Sequence, residues 1–201
     1  MLNNNNNYLS YNNFDKVPTF PYQIIHYLID GGNEDLFKAL KYQDTDALSQ
    51  NNLTSNEKLN LVWNGKDSQE QNYNIFLKPL IPNELDKATS QCQLRIFRYD
   101  TTPENRLNAV LIYEIDIITP EKCANLYYNN MLVERTDLIE SLILNALNGT
   151  DIGGTQFLAF DRELSRSCKS LLNISNSKSF YGRSLFLAQR LISPDSSGGC
   201  V

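Results

Sequence analysis

The chain has 201 residues, 41% hydrophobic and 20% charged, with 18 basic and 23 acidic side chains and a formal net charge of −5. That length fits one compact domain, with or without a small appendage, and buries roughly 70% of its unfolded surface, so crosslinks are not required. The acidic balance argues against attraction of the whole molecule to a nucleic-acid duplex or an anionic membrane. The longest apolar run, LNAVLIYEIDII at 107–118, carries charges and is too short to cross a bilayer as a helix.

Residues 1–18 are dominated by Asn, with Tyr and Ser. Such a segment buries too little apolar area to offset its ordering entropy and reads as a flexible arm. It lacks the basic and apolar regions of a signal peptide, so the expectation is a soluble protein made and used without export.

Residues 19–66 read as a helical section. Pro21 suits the first turn of a helix through YQIIHYLID, and Gly31-Gly32 ends it. Asn33 can cap EDLFKALKY, where Leu36, Phe37 and Leu40 share a face. Thr54 and Glu57 form a capping-box pattern before KLNLVWN, and Gly65 is a stop.

Residues 67–193 read as an α+β core. Tyr73, Ile75 and Leu77 alternate until Pro79 and Pro82 break the run, as in an edge strand. CQLRIFRY alternates Cys92, Leu94 and Ile96 against Arg95, Phe97 and Tyr99, and DTTPENR reads as a polar turn. Leu107 to Ile118 answers, with Leu107, Ala109, Leu111, Tyr113, Ile115 and Ile117 on one face and Asn108, Glu114 and Asp116 on the other. Together they make a long β-hairpin. Thr136 is placed to cap DLIESLILNALN, with Asp137 in its first turn and Gly149 past its end. QFLAF reads as a short buried strand, 162–179 as a loop or short helix, SFYGRSLFLAQRLI as a final strand, and 194–201 as a flexible tail. The fold class is α+β: a mainly antiparallel sheet with a long β-hairpin, covered on one face by helices and preceded by a short helical section.

Chemical motifs are sparse. Cys92, Cys123, Cys168 and Cys200 stand singly, which gives no zinc motif and reads as reduced, small apolar residues. Cys200 is second from the end, where a prenylation box needs the fourth. His26 is the single histidine and lies in an apolar helix, so it reads as a packed or half-exposed residue and multi-histidine metal sites are excluded. Glu114 and Asp116, two apart on a strand, read as a solvated face; side by side in a deep pocket they would mark an enzyme. Phosphate-loop, dinucleotide and zinc-protease motifs are all missing. The expectation is no catalytic, cofactor or metal residue and no enzyme.

The loop GTDIGGTQFLAF at 149–160 follows a helix C-terminus, whose dipole disfavours an anion, so Gly149, Gly153 and Gly154 read as structural. Basic and aromatic residues interleave in Arg95, Phe97, Arg98 and Tyr99, and again in Phe180, Tyr181, Arg183 and Arg190. These fit either a stacking platform for single-stranded nucleic acid or a subunit interface, where Tyr, Phe and Arg are enriched. The acidic net charge favours the interface.

The hairpin CQLRIFRY to LNAVLIYEIDII, the helix TDLIESLILNALNG, the loop TDIGGTQFLAF and the closing FYGRSLFLAQRLI together resemble the neck proteins of tailed bacteriophages: head-completion, connector and tail-terminator ring subunits. About half of the chain carries the likeness, and NEDLFKALKYQDTDAL and LTSNEKLNLVW extend it. The resemblance implies a non-catalytic virion protein, assembled in the host cytoplasm into a homo-oligomeric ring of about six or twelve copies between capsid portal and tail. It further implies portal or adaptor and tail proteins as partners, transient non-specific contact with genomic DNA in the channel, and no membrane. The Asn-rich arm and the long helical section exceed a minimal terminator. The alternative function is a non-enzymatic nucleic-acid-binding accessory protein that uses the Arg and aromatic strands.

Overall fold

The computed structural model describes residues 17–66, 73–80, 90–104, 108–152, 156–167 and 180–192. The arm up to residue 16, the tail from 193, Gly153, Gly154, Cys168 and Cys200 lie outside the described residues.

Among the described residues three helices come first, as the 3.6-residue spacing predicts. Helix α1 (Phe20–Asp30) carries Pro21 in its first turn and buries Phe20, Ile24, Ile25, Leu28 and Ile29. It closes at Gly31, whose N–H donates to Tyr27 O at 2.9 Å, before Gly32 at φ 71°. Helix α2 (Glu34–Lys41) has acidic residues in its first turn and lysines in its last, both favourable to its dipole. Asn33 occupies its N-cap position but makes no capping bond; its side-chain amide donates to Leu28 O at 3.0 Å instead. Helix α3 (Ser55–Leu59) has the complete capping box: Glu57 N–H donates to Thr54 Oγ1 at 3.3 Å and Thr54 N–H to Glu57 Oε2 at 2.9 Å. Those Thr54 bonds hold the Glu57 carboxyl below its ordinary pKa.

The sheet follows. Strands β1 (Ile75–Phe76), β2 (Gln93–Pro103), β3 (Asn108–Pro120), β6 (Ala159–Phe160) and β7 (Phe180–Ile192) form one sheet in the order β1-β2-β3-β7-β6, antiparallel except for β1 on β2. The expected hairpin is β2–β3. Its second arm runs to Pro120, and the stretch read as a polar turn is strand through Pro103. A register shift between Arg98 and Asp100 bulges β2.

Strand β3 shows how the sheet shares its core with the helices. Ala109, Leu111, Tyr113, Ile115 and Ile117 project into a single core that also takes in α1, α2, Leu94 and Ile96 of β2, and Leu185 and Leu187 of β7. Because side chains alternate along a strand, the even positions share the other face. There Arg95, Asp116 and Ser184 stand in one cross-strand row, and Phe97, Glu114 and Phe186 in the next.

Between β3 and β7 lie a separate two-stranded ribbon, β4 (Asn125–Tyr128) with β5 (Met131–Glu134), and helix α4 (Arg135–Leu147). Asn129 and Asn130 join the ribbon with φ of 50° and 62°, the left-handed pair that a two-residue hairpin turn requires. The helix differs from expectation at its start. It begins at Arg135 with Glu134 in the cap position, and Thr136 is buried inside the first turn with no partner for its hydroxyl among the described residues. Arg135 is the reason. Its guanidinium is fully buried and donates to five backbone carbonyls: Cys123 O from Nε at 2.7 Å, Ala39 O and Tyr42 O from Nη1 at 2.7 and 2.6 Å, and Gln43 O and Asp44 O from Nη2 at 3.1 and 2.8 Å. All five N–H donors of the side chain are used, and four of the acceptors belong to the C-terminal end of α2 and the residues just after it, where a cation suits the helix dipole.

After α4, Gly149 at φ 82° reverses the chain, its N–H donating to Leu158 O at 2.7 Å. The segment read as a buried strand buries only Leu158; β6 itself is exposed at Ala159 and half-buried at Phe160, because it pairs on one side with β7 and ends the sheet. Asp161 then caps a short helix α5 (Arg162–Ser167), accepting from Leu164 N–H at 2.8 Å.

Candidate subunit interface

The residues singled out as basic and aromatic do not form one surface. Arg95 is fully buried. Its Nε and Nη2 donate to Gln93 Oε1 at 3.1 and 3.0 Å, its Nη1 donates to Pro79 O at 3.0 Å, and its plane lies 4.6 Å from the Phe76 ring centroid. It is a fold-internal cation and offers nothing to a neighbouring molecule. Phe97 is half-buried. Arg98 and Tyr99 are exposed at the bulge, with Tyr99 meeting Phe186 edge-on at 5.0 Å. Tyr181 is exposed at the start of β7, opposite Thr119. Arg183 is pinned to helix α4, by an ion pair with Glu140 and another with Asp137 at 3.0 Å.

Strand alternation explains this division. Arg95, Phe97 and the carboxylates stand on one sheet face, whereas Arg183 projects toward α4 on the other. A continuous Arg-aromatic platform is therefore not assembled. Arg190 is exposed and paired with Glu104 at 2.9 Å, which ties β7 to the end of β2.

Further exposed apolar side chains occur on the β4–β5 ribbon, outside the residues singled out above. On the β4–β5 ribbon, Tyr127 and Leu132 are cross-strand partners on the same face, 54% and 59% exposed, with Met131 beside the turn. The signal available was the Asn129-Asn130 pair between NLYY and MLVE, a hairpin pattern. Beneath them Leu126 is fully buried, so the ribbon is anchored on one face and open on the other.

Glu114 and Asp116 are the second departure. Read as a solvated face, they are instead 5% and 4% exposed. The Ser184 hydroxyl donates to Asp116 Oδ1. Burial, reinforced by the neighbouring Glu114 charge, pushes the Asp116 carboxyl up to about 7, and burial raises Glu114 as well. A cleft of about 440 Å³ opens beside them, lined by Glu140, Phe160, Arg162, Ser165, Arg183 and Ser184 among others. The two carboxylates are not among the residues that line this cleft. No group of His, Cys, Asp or Glu able to hold a metal occurs among the described residues. His26 is half-exposed, its ring 4.4 Å from Tyr22.

Cys92 and Cys123, read as independent small apolar residues, are in contact: their sulfurs are 3.5 Å apart and both are free and buried. Cys123 also lies 3.5 Å from Pro120 O. The hydrogen bond from Cys92, helped by the Arg135 and Lys122 charges, holds the Cys123 thiol below its ordinary pKa; the same bond, together with burial, raises Cys92.

No helix among the described residues is long and apolar enough to cross a membrane. No curated protein and no solved structure matches the chain. A family model described as YomW matches residues 33–188, from the cap position of α2 into β7. The chain therefore belongs to the YomW family, which is associated with phage proteins.

Proposed function

We propose that the chain is a structural virion protein of a tailed phage, one subunit of a ring in the neck that joins the capsid portal to the tail and lines the DNA channel, acting without catalysis. Membership in a phage-associated family supports the setting. The observation that carries the reading is the separation of exposed aromatic residues onto different surfaces. Tyr99 stands at the bulge of β2, Tyr181 at the start of β7 beside the other end of β3, and Tyr127 with Leu132 on the ribbon. A head-to-tail ring needs two unlike, complementary surfaces on each subunit, and Tyr is among the residue types that dominate such contacts. The net charge of −5 also suits a channel through which DNA must pass without adhering.

The nucleic-acid-binding alternative is less well supported, since Arg95 is internal and Arg183 already has two carboxylate partners. Electron microscopy and mass spectrometry of purified particles test the proposal. Density for a ring at the neck, with the chain among the virion proteins, is the expected result; particles lacking the chain would overturn it.

A further inference from the structure

The Cys92 and Cys123 sulfurs are 3.5 Å apart although their residues are 31 positions apart in the chain. The contact is held by the fold around it. Cys92 O accepts from Asn74 Nδ2 at 2.9 Å, and the same amide donates to Leu40 O at 2.9 Å. On the other side, Cys123 O accepts from Arg135 Nε at 2.7 Å, and Arg135 is bonded in turn to four carbonyls of residues 39–44. Both thiols are thus tethered through their own backbone to the end of α2. A disulfide needs a sulfur separation of about 2.0 Å, so closure asks for a movement of about 1.5 Å, within the reach of two side-chain rotations.

We propose that Cys92 and Cys123 are an oxidation site, converted by a small peroxide into an intramolecular disulfide that staples the entry of β2 to the turn behind β3. The Cys123 thiolate attacks one oxygen of hydrogen peroxide, forming an S–O bond as the O–O bond breaks and hydroxide leaves. The Cys92 sulfur, already in contact, then attacks the Cys123 sulfur, forming the S–S bond and displacing the oxygen as a second hydroxide. The two thiol protons neutralise the two hydroxides, so two thiols and one peroxide give one disulfide and two waters. Hydrogen peroxide is small and uncharged, which suits a pair enclosed by the core. The staple closes a loop containing the whole β2–β3 hairpin and constrains the unfolded chain. This inference rests on the sulfur geometry and stands or falls separately from the ring reading.

The test uses the full chain carrying Cys168→Ser and Cys200→Ser, so that the pair are its only thiols. The folded protein is treated with peroxide, quenched with catalase, alkylated in denaturant and analysed by mass spectrometry and thermal melting. Expected are a product that resists alkylation, a peptide pair joined through Cys92 and Cys123, and a melting temperature higher by about 5–15 °C that dithiothreitol reverses. In the same background, Cys123→Ala should show no such rise. Thiols that remain alkylatable, sulfinic or sulfonic acids without a link, a link formed only in denaturant, or a linked product melting no higher than the reduced one would each overturn the proposal.

Discussion

At the scale of single residues, the informative groups are buried and polar. Arg135 joins α2, the turn after β3 and α4 through five carbonyls. Replacing it with Met leaves the Cys123 and Ala39 carbonyls unpaired inside the core and takes a donor from the three at its edge, and the expected loss of stability is about 3 kcal/mol. Arg135→Lys should recover only part of it, because three donors cannot serve five acceptors; urea unfolding of both variants measures the difference. Asp116 makes a pH prediction. Its folded pKa, about 7, lies above the unfolded value of about 3.9, so the folded state holds the proton more tightly. Stability is therefore greatest below about pH 4 as far as this group is concerned, and it declines as pH rises to about 7. Denaturation midpoints at pH 5 and pH 8 should differ in that sense, and Asp116→Asn should flatten the difference. Neither role was legible beforehand. A period-2 pattern says that Glu114 and Asp116 share a face with Arg95 but cannot say whether that face is wet, and Arg135 meets partners more than ninety positions away.

At the scale of elements, legibility followed how local the causes are. The capping box of α3 and the glycine stop of α4 depend on residues within a few positions, and both occur where the spacing places them. Thr54→Ala should cost about 1 kcal/mol, read by thermal or chemical melting. Gly149→Val should cost about 2 kcal/mol through its φ of 82°, since a Cβ there meets no atom within 4 Å and the penalty is backbone strain alone. A soluble Gly149→Val protein with unchanged stability would contradict that account. The Thr136 cap failed for the opposite reason: a long-range anchor at Arg135 sets the helix start two residues earlier and outweighs a local capping preference. The β4–β5 ribbon was hidden because its four-residue strands leave Tyr127, Met131 and Leu132 outside. Without a buried, alternating run, only its Asn-Asn turn marks it.

At the scale of the whole molecule, one core unites the helical section with the sheet, so the two segments divided near residue 66 by a change of hydrophobic period share it. Assembly is tested at this level. Tyr99→Asp and Tyr181→Asp change exposed side chains on separate strands, and each should leave the melting temperature within about 2 °C while preventing incorporation into particles. Particle yield and chain content, measured against the parent, decide the matter; normal incorporation of both variants would move the contact surface elsewhere, with the Tyr127–Leu132 ribbon as the next surface to alter.

The sequence by itself determined the α+β class, the long hairpin, the three N-terminal helices and the absence of familiar catalytic motifs, because periodicity, caps and stops are read from neighbours along the chain. Only the tertiary structure decided which charged residues are internal, that Arg95 belongs to the fold and not to a surface, and that Cys92 touches Cys123. Those facts depend on which segments meet in space. Burial turns a solvated carboxylate into one that keeps its proton near neutrality, and two thiols far apart in the chain become neighbours.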